Sequence, residues 1–211
     1  MPLVTTLNKI RKHGPCESGW IKLLKHLNKT TADDEPLPFS VIVESNGFED
    51  ALWCCRSTPE YNKEWRLFAV KCARKVQHLM TDPRSIAALD VAERFANGEA
   101  TDEELAIANA GAYAAAQVAA NAAANAGACA AAQVAANAAA KATSNVSAYA
   151  AALIAAHVAL HTSGRAAALV AAYTSGCAAA NAGAAANDEA NPAAYDAARK
   201  EQKQIFLEIV K

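Results

Sequence analysis

The sequence predicts an all-α protein: an N-terminal helical domain that continues into an array of short, alanine-rich packed helices. Two observations carry this. In the first half, apolar residues recur at three- and four-residue spacing between recognisable helix caps. The second half is built on alanine, the strongest helix former, laid out in steps of four. Three segments follow: a helical domain over 1–105, the alanine-rich array over 106–191 and an amphipathic C-terminal helix over 192–211.

In chain order, residues 3–13 and 17–28 have helical spacing; Trp20, Leu23, Leu24 and Leu27 form one apolar face. Residues 30–38 (TTADDEPLP) read as a loop closed by two prolines. The β-branched run Ser40–Glu44 (SVIVE) fits either a short strand or a helical turn. Asn46-Gly47 marks a break, after which Phe48–Arg56 reads as a helix carrying Leu52, Trp53 and Cys55. Pro59 opens a long helix to about Met80, with Trp65, Leu67, Phe68, Val70, Cys72, Val76 and Leu79 facing inward. Asp82-Pro83 pairs an N-cap with a proline at the first helical position, and that helix stops at Asn97-Gly98. Thr101 and Glu104 have the spacing of a capping box and start the helix that enters the alanine tract. Ile205, Phe206, Leu207, Ile209 and Val210 give the last segment an apolar face to dock on the body or on a partner.

From Asn109 to Asn187 the chain is about half alanine and carries two charges, Lys141 and Arg165. One position in four is large or polar: Tyr113, Gln117, Asn121, Asn125, Cys129, Gln133, Asn137, Lys141, Asn145, Tyr149. Four residues overshoot a helical turn by roughly 40°, so this stripe would circle a single long helix and no neighbour could bury it. Breaks at 125–127, 141–148, 162–164, 174–176 and 181–183 cut the tract into shorter helices that keep the stripe on one broad face. Residues 113–124 and 129–140 differ only in Tyr113 against Cys129, as expected of stacked units. A polygonal coil with four residues per side is the competing architecture; the poor β-propensity of Ala and Asn argues against it.

Net charge is −1 over 211 residues, which gives no bulk electrostatic case for nucleic acid or an anionic membrane. Nor does the neutral tract read as a membrane span, because Asn or Gln recurs every turn or so. The first residues lack a signal peptide's apolar core and cleavage site. The six cysteines (Cys16, Cys54, Cys55, Cys72, Cys129, Cys177) show no CxxC pair. A cytoplasmic protein with reduced thiols is expected.

The string DEPLP, VIVESNGFEDALWCCRS and EWRLFAVKCARKVQHLMTDPRSIAALDVAERFANGEATDEELA resembles bacterial immunity proteins of the immunity-five-like family. These are small proteins of phage and bacterial genomes that run into an alanine-rich tetrad array. The resemblance covers residues 20–105 in motif and the tract in character. It implies neutralisation of a toxin or a host-defence component and fixes no catalytic residue.

Four groups of candidate site residues stand out. Arg66, Arg74, His78, Asp82, Arg84, Asp90, Glu93 and Arg94 form a charged band across two helices. The band reads either as solvated faces and surface ion pairs or as an arginine-rich pocket for a phosphate or carboxylate. Trp53 and Trp65 read as core, or as a stacking platform if they lie beside that band. Tyr113, Asn121, Asn137 and Tyr149 of the tetrad ladder offer a polar face for a ligand, a partner helix or a second copy of the chain, or simply keep the array soluble. His157 and His161 have the spacing to share a metal, but no third ligand is evident and none is assigned. Cys54, Cys55 and Cys72 read as small buried hydrophobes.

No Ser–His–Asp set, paired carboxylates or glycine-rich phosphate loop can be assembled, and no cofactor is expected. The leading expectation is a non-enzymatic inhibitor or immunity protein, phage- or prophage-associated, that sequesters a protein target, with the tract serving either as a compact scaffold or as a surface for homo-oligomer formation. The alternatives are a sponge for a small nucleotide-like signal bound at the arginine band, and a structural alanine-rich assembly.

Overall fold

A computed structural model describes residues 1–75, 77–80, 82–112, 114–115 and 192–211. These are predominantly helical, as expected, with a single two-stranded sheet among them. The alanine-rich array lies almost wholly outside the described residues.

The sheet corrects the first expected helix. Val4–Thr5 (β1) pairs antiparallel with Leu37–Pro38 (β2), Val4 opposite Pro38 and Thr5 opposite Leu37. Helix α1 therefore starts only at Leu7 and runs to Arg11, capped by Thr6, whose hydroxyl accepts from the Lys9 backbone N–H at 3.1 Å. The β-branched Val-Thr-Thr run favours extended backbone here. The buried Thr5 hydroxyl also reaches the Ser57 hydroxyl at 2.6 Å. Helix α2 spans Glu17–His26 and ends where Asn28 takes the left-handed conformation at φ 53°, one that asparagine tolerates.

The ambiguous Ser40–Glu44 run is helical: α3 covers Phe39–Ser45. Phe39, Ile42 and Val43 recur at helical spacing and are all buried, so packing overrides the β-propensity of the branched residues. Gly47, at φ 102°, turns the chain into α4, Phe48–Cys54. That helix ends two residues early and tightens into a 3₁₀ turn at Cys55–Ser57. There Ser57 Oγ donates to the Cys54 carbonyl at 2.7 Å and Thr58 Oγ1 to the Cys55 carbonyl at 3.1 Å. These bonds satisfy acceptors a longer helix would have used itself.

The long helix expected over 59–80 is three pieces: a 3₁₀ turn at Pro59–Tyr61, α5 at Asn62–Lys75 and a second 3₁₀ turn at Gln77–Leu79. Such tightening at both ends of a helix is common, and Arg74 donates to Gln77 Oε1 at 2.9 Å across the second junction. Of the expected inward face, Trp65, Phe68, Val70 and Cys72 are buried and Leu67 is half-buried. The side chains of Val76 and Leu79 lie outside the described residues.

Helix α6, Pro83–Ala96, is capped as expected: Asp82 Oδ1 accepts from the Arg84 backbone N–H at 2.9 Å. The capping box holds as well. Glu104 N–H donates to Thr101 Oγ1 at 3.2 Å, and Thr101 N–H to Glu104 Oε2 at 2.8 Å. Helix α7 starts at residue 102 and buries Leu105, Ala112 and Ala115. Losing the cap hydroxyl in Thr101→Ala should cost about 1 kcal/mol, read as a lower denaturant midpoint with an unchanged slope.

Helix α8, Pro192–Val210, docks on α5 and α3 rather than standing apart. Ile205, Phe206 and Val210 belong to the same buried cluster as Phe39, Phe48, Trp65 and Phe68. Leu3 N–H donates to the Val210 carbonyl at 2.9 Å, which ties the two ends of the described chain together. No helix among the described residues is long and apolar enough to cross a membrane.

Candidate functional site

A cleft of about 360 Å³ opens between the end of α1, the turn into α2 and the α3–α4 corner. Ile10, Leu23 and Ile42 line it and are buried, so its depth is hydrocarbon. Trp20 from α2 and Trp53 from α4 also line it and are half-buried. The polar lining comes from Asn46, at the end of α3, and Asp50, in the first turn of α4.

Asn46 fixes this corner. Its Nδ2 donates to the Gly19 carbonyl and to Asp50 Oδ2, both at 2.8 Å, and its Oδ1 accepts from Ser45 Oγ at 2.7 Å. One side chain thus joins α2 to α4. Gly19 permits the close approach: a β-carbon there would stand 3.0 Å from Asp50 Oδ2 and 3.0 Å from Cys16 Sγ. Trp53 is held from the 3₁₀ turn that follows its helix. Arg56 Nε donates to the Trp53 carbonyl at 2.9 Å, and the Arg56 guanidinium carbon sits 4.1 Å from the Trp53 ring centroid.

Asp50 is the sole side chain among the lining residues that is charged at neutral pH. Burial, assisted by the charge of Asp50, pushes the Cys54 thiol up to about 12, so it stays protonated. Cys16, at the rim, is exposed. The cleft therefore carries one negative charge within an apolar and aromatic lining.

The arginines of the charged band each close on local partners. Arg74 pairs with Asp90 at 2.6 Å and Glu93 at 3.1 Å. Arg84 closes back on Asp82, at 3.0 Å through Nε and 2.7 Å through Nη2. Arg94 reaches Glu104 at 3.0 Å and the Glu99 carbonyl at 2.9 Å. Arg66 is only 2% exposed and lies over the Phe95 ring at 4.9 Å; burial lowers its pKa, and Asp102 opposes that shift. His78 is exposed on the second 3₁₀ turn. The arginines are thus spent in separate local contacts, and exposed pairs of this kind contribute little to stability. The guanidinium of Arg84 is the largest influence holding the Asp82 carboxyl below its usual range.

Trp65 is likewise core. It is fully buried, donates its indole N–H to the Thr58 carbonyl at 3.2 Å and stacks on Phe206 with centroids 5.9 Å apart. Trp53 alone of the candidates in the first half reaches the cleft. Tyr113, Asn121, Asn137, Tyr149, His157 and His161 lie outside the described residues. Among the described residues, no group of three or more His, Cys, Asp or Glu side chains is placed to hold a metal.

Sequence reasoning missed Asn46, Asp50, Gly19 and Cys16 as a group. The available signal is small: Asn46 and Asp50 stand four apart on either side of the break at Gly47, and Trp20 falls on the apolar face of its helix. No protein-family model, no curated protein and no solved structure matches this chain.

Proposed function

We propose that the chain is a non-enzymatic inhibitor that works by capture, sequestering a toxin or a host-defence component in the cytoplasm of a cell carrying a phage or prophage. The target class rests on the motif resemblance of residues 20–105 to immunity proteins. The observation that supports capture is the cleft: a preformed concavity with two half-buried indoles and a hydrocarbon depth, of the size at which ligands and anchoring side chains bind. No histidine or lysine is among the residues that line it.

The test is protection. Cells challenged with individual toxins or defence systems should survive when they express the chain and lose that protection with the Trp20→Ala, Trp53→Ala double variant. Both tryptophans are only half-buried, so the variant is expected to fold, which a thermal melt checks. Survival that is unaffected by the double variant, or no protection across the panel, rejects the proposal.

A further inference from the structure

We infer that the cleft is a binding site for a small apolar cation, a primary ammonium group carried on an aromatic body. This goes beyond the inhibitor proposal, since a captured protein needs no ammonium group, and the two are tested separately.

Three observations combine. First, size and lining suit a flat hydrocarbon body: about 360 Å³, with Trp20 and Trp53 beside Leu23 and Ile42. Second, the charge is complementary. Asp50 is the one ionised side chain in the lining; it accepts a single hydrogen bond, from Asn46 on Oδ2, and no lysine or arginine among the described residues pairs with it. An ammonium ion would supply a donor and counter-charge to Asp50, and the face of Trp20 favours a cation electrostatically, the Trp53 ring already carrying Arg56. A carboxylate or phosphate would instead meet Asp50 with no basic residue in the lining to receive it. Third, the groups are already in place. Asn46 sets the Asp50 carboxylate through the bonds that tie α2 to α4, and Arg56 holds the Trp53 ring. Little ordering then remains to be done when a ligand enters.

The experiment is calorimetric titration of the full-length protein with phenethylamine, with 3-phenylpropanoate and 2-phenylethanol as anionic and neutral counterparts. The expected result is saturable binding of phenethylamine at roughly millimolar affinity or tighter. The alcohol should bind about tenfold more weakly or worse, the size expected when a hydrogen bond to a charged group is lost. The acid should not bind. Asp50→Asn keeps an acceptor for Asn46 and should reduce phenethylamine affinity by about tenfold or more while leaving the alcohol unchanged. If that variant fails to fold, discrimination between amine and acid by the unaltered protein decides. Three results overturn the inference: no saturable amine binding, equal affinity for amine and acid, or unchanged amine affinity in a folded Asp50→Asn protein.

Discussion

Phe206→Ala is expected to remove about 3–5 kcal/mol of stability, a large share of what a domain of this kind has in total. The residue is fully buried, and four aromatic rings surround it. Trp65 is stacked on it at 5.9 Å, while Phe48 and Phe68 at 5.6 Å and Phe39 at 6.2 Å meet it edge-on. These neighbours come from α3, α4 and α5, so the cavity left by truncation would face three helices that cannot close on it together. Chemical denaturation followed by tryptophan fluorescence reads the loss directly, because Trp65 lies against the deleted ring. Ile21→Ala, at a side chain 56% exposed, is the matched control and should shift the midpoint little. A loss below about 1 kcal/mol for Phe206→Ala would show that α8 rests on the core without completing it.

The second large effect is chemical. With iodoacetamide at pH 8 under native conditions, Cys16 should be alkylated readily, while Cys54, Cys55 and Cys72 react only through unfolding. Cys16 is exposed, whereas the other three are at most 4% exposed. The expected protection is on the order of a thousandfold or more, the scale of a folding equilibrium constant. Burial acts on the chemistry as well as on access: it raises the thiol pKa of both Cys54 and Cys72, which removes the nucleophilic thiolate. The direction for stability follows from the same shift. A thiol whose pKa is higher in the folded state contributes stability in full below its unfolded value of about 8.5. For Cys54 that contribution is lost as pH rises towards about 12. Peptide mapping after timed alkylation checks the pattern, and rapid native labelling of Cys72 would contradict its placement in the core.

What could be read from the residues, and what could not, divides by the range of the interaction. Caps and boundaries are local chemistry: Asp82 before Pro83, Thr101 with Glu104, and Asn97-Gly98 at the end of α6 are all placed as their types require. The core face of α5 was legible from spacing, because Trp65, Phe68 and Cys72 recur with the helical period. The strand at Val4–Thr5 was not, since it exists only through a partner more than thirty residues away at Leu37–Pro38. The arginine band left two readings open for a related reason. Composition shows how many guanidinium groups are present but not that Arg74, Arg84 and Arg94 each have a carboxylate within reach. The cleft was hidden because it joins residues from four segments, and no spacing rule connects Cys16, Gly19, Asn46 and Trp53.

Leu105 and Ala112 of α7 and Ile205, Phe206 and Val210 of α8 belong to one buried cluster, although the whole alanine-rich tract separates them in the chain. A ribosome adds residues from one end only. The nascent chain must therefore release that entire tract before Phe206 emerges to fill its place among Trp65, Phe48 and Phe68. Until then the N-terminal helices hold an open apolar slot, so chaperone occupancy during translation should peak while the tract is being made and fall once the last helix clears the exit tunnel.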